Sequence, residues 1–357
     1  MSKERLTRRD FLKTVVKSVE YTGVYCLGNS LGGKNEAEKS EFVINERMSE
    51  IVSQIEPLGF NPWGNLVCPD GEISLIPTHR NEVERIPIEE VKLLVVHYDA
   101  GERYRASGIE RNARNTVWGL NGNDPDGNGL GPSVHWCVDN FPIARNESGE
   151  GGYGVLQTQI ASGNADRPYA GLHLGIDPIY DPNRVRTSQR FESLGIRSNL
   201  SQLIEQEIEN FNLYSLGYEQ IGIYFEERFP SEGEPPSRQF ANTLSLAIAV
   251  MEKFGLNPWD IVGHHEIQQK SDPGDYHMAT FRFLLGLAAL SGKVSADIVF
   301  CEDTPREYFG KVARYLEMVD RYGRYNEWKN WVGFDSLISS LPIKSPGICQ
   351  LIKSSTQ

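Results

Sequence analysis

Nowhere does the chain carry the run of about 18 apolar residues that a membrane-crossing helix needs, which argues against a transmembrane span. Positive charge is also in short supply. Lys and Arg number 36 against 48 Asp and Glu, a net charge of -12 that argues against non-specific nucleic-acid binding and against a polybasic membrane anchor. A local basic patch can coexist with that total, so an anionic substrate is not excluded. Cysteine is sparse and irregular: Cys26, Cys68, Cys137, Cys301 and Cys349 form no CxxC pair, and an odd, scattered count does not support a disulfide framework. No internal repeat can be aligned, including in the aromatic-rich tail, so nothing reads as a repeated wall-binding unit. What is present, 39% apolar and 24% charged residues over 357 positions, describes a globular chain with ample core material. Its length suits two domains, or one with large embellishments.

The stretch richest in chemistry is 259–276, WDIVGHHEIQQKSDPGDY. It places His264, Lys270 and Asp272 within nine residues, opened by a short apolar run and closed by Asp-Pro-Gly. Imidazole nitrogen and carboxylate oxygen are both good zinc ligands, and a catalytic zinc site needs three protein ligands and an open position. His97, at the end of VKLLVVHYDAG, is the best third candidate. Residues 91–96 read as a buried strand, and the C-terminal end of such a strand is where active sites are commonly built.

Four blocks in order, VVHYDAG, SVHWCVD, QIGIYFEE and IVGHHEI with KSDPG, resemble the zinc-dependent N-acetylmuramoyl-L-alanine amidases. That family also contains the phage amidase-type lysozymes and the peptidoglycan recognition proteins. The resemblance covers roughly residues 91–290, with long insertions. It implies an α/β fold with a mixed central β-sheet flanked by helices, and a Zn²⁺ ion held by His97, His264 and Asp272. It implies hydrolysis of the amide bond between N-acetylmuramic acid and L-alanine in peptidoglycan or muropeptides, by a metal that lowers the pKa of its water toward about 7. Lys270 would stabilise the developing oxyanion, and His135 and His173 would line the substrate cleft. For His135 a core histidine bonded to backbone is the competing reading. Asp272 stands where phage and recognition-protein members carry cysteine, and the short spacing to His264 is nearer the phage type.

One departure concerns the general base. Bacterial members commonly carry glutamate where this chain has Tyr224, and the tyrosine of phage-type members corresponds to Val134 here. Tyr224 and Glu226, two residues apart on one strand, are the candidates; an unperturbed phenol near pKa 10 is a poor base at neutral pH, and Glu226 also reads as a solvated strand-end acid. His264 is preferred over His265 as ligand because the family pattern is Gly-His. On an extended segment His265 then points away and Glu266 faces the ligand side. His277 and His79 read as surface histidines.

Thr7-Arg8-Arg9-Asp10-Phe11-Leu12-Lys13 resembles a twin-arginine export signal, though Lys17 and Glu20 interrupt the apolar region that should follow. The organisation expected is an export signal and linker over 1–40, an extension packed on the core over 41–90, the zinc amidase-like domain over 91–292, and a helical extension over 293–357. Within these, helices are expected at 42–57, 196–213 (on the surface), 235–254 and 279–291, with one or two more over 303–341. Strands are expected at 91–97, 133–139 and 217–230. Residues 140–195 are the least legible, and the Asn/Asp/Gly-rich 121–129 reads as a surface turn rather than a calcium loop, for lack of the twelfth-position glutamate. Two rival functions remain: a protein that binds muropeptide without cleaving it, and an amidase of the same fold acting on another amide. Oligomeric state is not legible.

Overall fold

A computed structural model describes residues 45–61, 64–69, 71–72, 75–76, 88–99, 113, 116, 134–143, 154–158, 168, 170, 173–174, 181–222 and 237–341. Tyr224, Glu226, His79, the export-signal stretch and the 121–129 turn lie outside these residues. The organising layer is a six-stranded mixed sheet of β4 (Leu75–Ile76), β7 (Val155–Thr158), β6 (Trp136–Val138), β8 (Ser215–Ile221), β5 (Leu93–Asp99) and β9 (Ile261–Gly263), in that spatial order. All neighbours run parallel except β6 and β7. Strand β5 lies between two parallel partners, and Leu93, Leu94, Val95 and Val96 are fully buried. That explains a continuous apolar run where a half-exposed strand would alternate. A separate small antiparallel sheet joins β1 (Gly59–Phe60), β2 (Leu66–Cys68) and β3 (Gly71–Glu72).

The helices are α1 (Glu46–Ser53), α2 (Pro182–Ser193), α3 (Asn199–Glu205), α4 (Ser237–Phe254), α5 (His264–Ile267), α6 (Asp275–Leu290), α7 (Ala296–Phe300), α8 (Pro305–Val319), α9 (Tyr325–Val332) and α10 (Phe334–Ser340). The helix expected over 196–213 is only α3, ended at Glu207 in a left-handed conformation, with a 3₁₀ turn at Phe211–Leu213 beyond it. Its apolar positions Leu200 and Leu203 are buried. Helix α6 begins four residues before the expected 279, because Gly274 at φ 95° turns the Asp-Pro-Gly segment directly into it. Fifteen of its residues, Asp275 to Ala289, are buried. A helix buried all round must be covered on every side, and α8 supplies one cover. At Gly286 an added Cβ would lie 2.7 Å from the Phe309 ring, so only glycine lets the two helices approach this closely. The tyrosine hydroxyl of Tyr308 donates to Arg282 O at 2.7 Å, and Trp328 of α9 donates to Thr280 at 3.0 Å. Residues 303–341 thus hold three helices, α8, α9 and α10, where one or two were expected.

Candidate metal centre

Sheet register builds the site. Val96 of β5 pairs with Gly263 of β9 in parallel, so the next residues, His97 and His264, emerge side by side at the C-terminal edge of the sheet. Gly263 is required there, since a Cβ would fall 2.6 Å from the His265 ring. The chain then makes one helical turn, α5, and loops back. The backbone N–H of His265 donates to Asp272 O at 2.8 Å, closing the loop. Tyr98 N–H donates to Asp272 Oδ2 at 3.3 Å, which fixes the carboxylate against β5.

Three atoms converge as a result. His97 Nδ1 lies 3.1 Å from His264 Nδ1, His264 Nδ1 lies 3.2 Å from Asp272 Oδ2, and His97 Nδ1 lies 3.8 Å from Asp272 Oδ2. Ligands of a tetrahedral zinc ion stand about 3.3 Å apart, given metal–ligand distances near 2.0–2.1 Å. The donor set therefore fits zinc.

The outer hydrogen bonds decide which ring nitrogens are free. His264 Nε2 meets the Gln268 amide oxygen at 2.7 Å, so Nε2 carries the proton and Nδ1 keeps its lone pair. His97 is fixed by a longer chain. His173 Nε2 lies 3.4 Å from the Ser215 carbonyl oxygen and 3.2 Å from Ser215 Oγ, whose own proton goes to Phe211 O at 2.8 Å. Both Ser215 oxygens accept, so His173 Nε2 donates and His173 Nδ1 accepts. His97 Nε2, 3.1 Å away, then donates to His173, leaving His97 Nδ1 bare. Two bare ring nitrogens and a carboxylate oxygen facing one another repel unless a cation lies among them. Burial, then the neighbouring His264, His173, Lys270 and His135, holds His97 well below the usual histidine pKa, so it stays neutral. Burial would raise Asp272, but the adjoining His264 and the Tyr98 N–H outweigh it and leave the carboxyl below its ordinary value.

His173 thus stands behind His97, buried, its ring filling the space where Gly217 lacks a Cβ, which would come within 2.7 Å. His135 is fully buried and accepts from Gly217 N–H at 2.9 Å, a backbone-bonded histidine beside His173. Lys270 is exposed, its backbone N–H bound to Gln268 O, two residues from Asp272.

Two expectations are corrected. Glu266 does not face the ligand side, because residues 264–267 form a helical turn rather than an extended segment. Its carboxylate turns into the core, where Arg282 donates to both oxygens at 2.9 and 2.8 Å, Tyr315 at 2.7 Å and Gly263 N–H at 2.8 Å. Burial alone would raise its pKa, but the Arg282 charge and hydrogen bonds, with His265 and Tyr315, bring it to about 2. His277 is not on the surface. It is 1% exposed on the first turn of α6, stacked 4.9 Å from Phe240 and bonded to Gln220, and burial followed by the His265 charge lowers its pKa to about 3.

Sequence reasoning missed α2 as a support. Asn183 Nδ2 donates to Gln268 O at 2.7 Å and His265 O at 3.3 Å, Thr187 Oγ to Glu266 O at 2.8 Å, and Arg184 Nε to Ile267 O at 3.4 Å. Helix α2 therefore satisfies the carbonyls that the four-residue turn leaves open at its C-terminal end. The available signal was Asp181-Pro182, an N-cap followed by proline at N1.

Against known families, the chain matches N-acetylmuramoyl-L-alanine amidase over residues 87–275. Among solved structures it is similar to the N-acetylmuramoyl-L-alanine amidase LysC from Clostridium intestinale URNW, at 12% identity and a TM-score of 0.32 over 62% of this chain and 99% of that one. It is similar to a mutant endolysin from Bacillus subtilis, at 16% identity and a TM-score of 0.28 over 56% and 90%. A third is the ectodomain complex of the peptidoglycan recognition proteins LCa and LCx bound to tracheal cytotoxin, at 14% identity and a TM-score of 0.30 over 57% and 90%. A search of curated protein sequences gave no match.

Proposed function

We propose, for a chain that belongs to the N-acetylmuramoyl-L-alanine amidase family, that it is a zinc hydrolase cleaving the amide bond between N-acetylmuramic acid and L-alanine in peptidoglycan or muropeptides. The observation that carries this reading is the triangle of His97 Nδ1, His264 Nδ1 and Asp272 Oδ2, with both ring tautomers fixed from behind. His97, His264 and Asp272 would hold the ion, which supplies Lewis acidity and a water of lowered pKa. Gln268 and His173 hold the two imidazoles in their ligating tautomers. Lys270, exposed beside Asp272, is assigned to the carbonyl oxygen, where its charge stabilises the negative charge that develops. The proton acceptor is assigned to Glu226, or to Tyr224 if the strand end does not let Glu226 reach. Export to the wall fits the substrate, and no helix among the described residues is long and apolar enough to cross a membrane.

The test measures zinc content together with release of L-Ala-peptide from purified muropeptide, for the wild type, Glu226→Gln and Tyr224→Phe. One zinc per chain with release supports the reading, and the substitution that stops release while keeping zinc identifies the base. Zinc with tight muropeptide binding and no release would make the protein a muropeptide binder instead. Absence of zinc binding would refute the ligand assignment.

A further inference from the structure

A cavity of about 520 Å³ adjoins the loop that carries Lys270, and positive charge reaches it from three separate parts of the chain. Arg186 and Arg190 come from α2, Lys270 from the loop between α5 and Asp272, and Arg321 from the segment after α8. In a chain of net charge -12 this is a local reversal of sign. Asp320, the one carboxylate in the lining, does not neutralise it, because it accepts from the Tyr276 hydroxyl and from the N–H groups of Tyr322, Arg324 and Tyr325. Arg186 and Arg190 stand one turn apart, about 6 Å along the helix, and pair with no carboxylate among the described residues. Arg321 lies 3.8 Å from Asp275, a carboxylate already bonded to His265.

Cations set around a space in this way select anions by shape. A planar carboxylate is satisfied by one guanidinium fork, whereas a phosphoryl group carries nearly two charges near neutral pH and three diverging oxygens that accept from several elements at once. Met318, 46% exposed, and Val319 add an apolar wall suited to the carbon of an ester. Lys270 belongs to two places, since it lines the cavity and its charge is also felt at His97. Asn183, another lining residue, donates to Gln268 O, and the Gln268 amide holds His264. An occupant of the cavity therefore bears on the metal triangle through Lys270 and Gln268.

We propose that this cavity is a regulatory site for a small phosphate ester, whose phosphoryl oxygens pair with Arg186, Arg190 and Arg321 and draw the Lys270 ammonium away from the metal triangle. Binding stands on the cavity alone; its effect on turnover rests on the hydrolase reading above, in which Lys270 serves the carbonyl oxygen. Calorimetry on the zinc-loaded full chain tests binding with glycerol 3-phosphate. Glycerate is the carboxylate of matching skeleton, and phosphatidic acid vesicles present the same phosphate monoester on a lipid. Glycerol 3-phosphate should bind at least about tenfold more tightly than glycerate. Arg186→Gln/Arg190→Gln should weaken it at least about tenfold, with zinc content and Tm retained. Arg197→Gln removes the same charge from an exposed pair with Glu302, and should leave the affinity where it was. Saturating glycerol 3-phosphate should lower the wild-type kcat for muropeptide at least about tenfold, toward the loss seen when an oxyanion donor is removed. The double variant should keep its kcat in the presence of the ester, and the residual turnover of Lys270→Met should no longer respond. Equal affinity for glycerate would overturn the site, as would binding that survives the double substitution, which would place the phosphate on the zinc. Vesicle binding that glycerol 3-phosphate does not displace would assign the arginines to a membrane surface and overturn the cavity. Arginine-dependent binding that leaves kcat unchanged would refute the regulatory role. Failure to release peptide from any muropeptide would refute the hydrolase reading, while the calorimetry would still decide the phosphate site.

Discussion

Replacing Arg282 with methionine tests whether the ligand turn is held by a buried ion pair rather than by its own backbone. The Arg282 and Glu266 side chains are 0% and 1% exposed. In R282M the Glu266 carboxylate keeps only the Tyr315 hydroxyl and the Gly263 N–H. Removing one partner of a buried pair costs about 3–5 kcal/mol, because the remaining charge is left uncompensated. The upper part of that range applies, since the guanidinium also donates to Ile261 O at 2.9 Å and lies 5.0 Å over the Trp259 ring. For a chain of this size the loss is roughly 10 °C in Tm. If the stranded charge is the cause, E266Q/R282M should be more stable than R282M by about 2 kcal/mol. Equilibrium urea unfolding of the wild type, both single variants and the double variant completes the cycle. An R282M loss below about 1 kcal/mol, or a double variant no more stable than R282M, would refute the argument.

Three further outcomes follow from the same contacts. Gln268→Leu removes the acceptor of His264 Nε2–H, and zinc affinity by chelator competition should fall about 10–100-fold, with Gln268→Glu recovering most of it. Lys270→Met should lower kcat about 10²–10³-fold at unchanged zinc content if the ammonium serves the oxyanion, and an unchanged kcat would remove it from the mechanism. Burial lifts the Asp260 carboxyl to about 7, against N–H bonds from Asn257 and Asn199 and the Lys92 charge. An acid whose pKa folding raises adds stability below its unfolded pKa, and that stability is lost as pH climbs through the folded value. The Asp260 contribution should therefore be complete below about pH 4 and gone above about pH 7, and the corresponding decline in Tm should flatten in Asp260→Asn.

What was legible in the sequence was what short-range pattern encodes. Helix α4, Ser237–Phe254, falls within the expected 235–254 because the apolar stripe runs its length and Gly255, at φ 69°, ends it. His97, His264 and Asp272, the three donors that the fold brings together, could be picked out because two of them share one short stretch and the third closes a buried strand. Glu266 and His277 could not be placed, since what buries them is distant in sequence: Arg282 lies 16 residues from Glu266 and Tyr315 lies 49 away. Helix α2 escaped for a related reason. PNRVRTSQRFES carries few apolar residues, and its buried face is Arg184, Thr187, Ser188 and Phe191. Three of these four are polar, and two of them, Arg184 and Thr187, bond carbonyls of the ligand turn. Hydrophobic periodicity cannot register a face built to satisfy backbone.

Helix α5, four residues long, is far shorter than a helix that stands alone in water, and its local support is limited to the Gln268 bonds with His264 and the Glu266 contact to Gly263 N–H. Its geometry is imposed from three sides: α2 takes its carbonyls, Arg282 of α6 and Tyr315 of α8 take its one carboxylate, and the His265–Asp272 bond closes its loop. Two of these supports, Arg282 and Tyr315, lie beyond residue 275, where the match to the amidase family ends. The candidate ligands His97, His264 and Asp272 sit inside the matched span, but the side chains that decide where His264 and Asp272 point do not all lie there. For this chain the C-terminal helices are thus part of the candidate metal centre's scaffold, and sequence differences there bear on the geometry of His264 and Asp272 as directly as differences near those residues themselves.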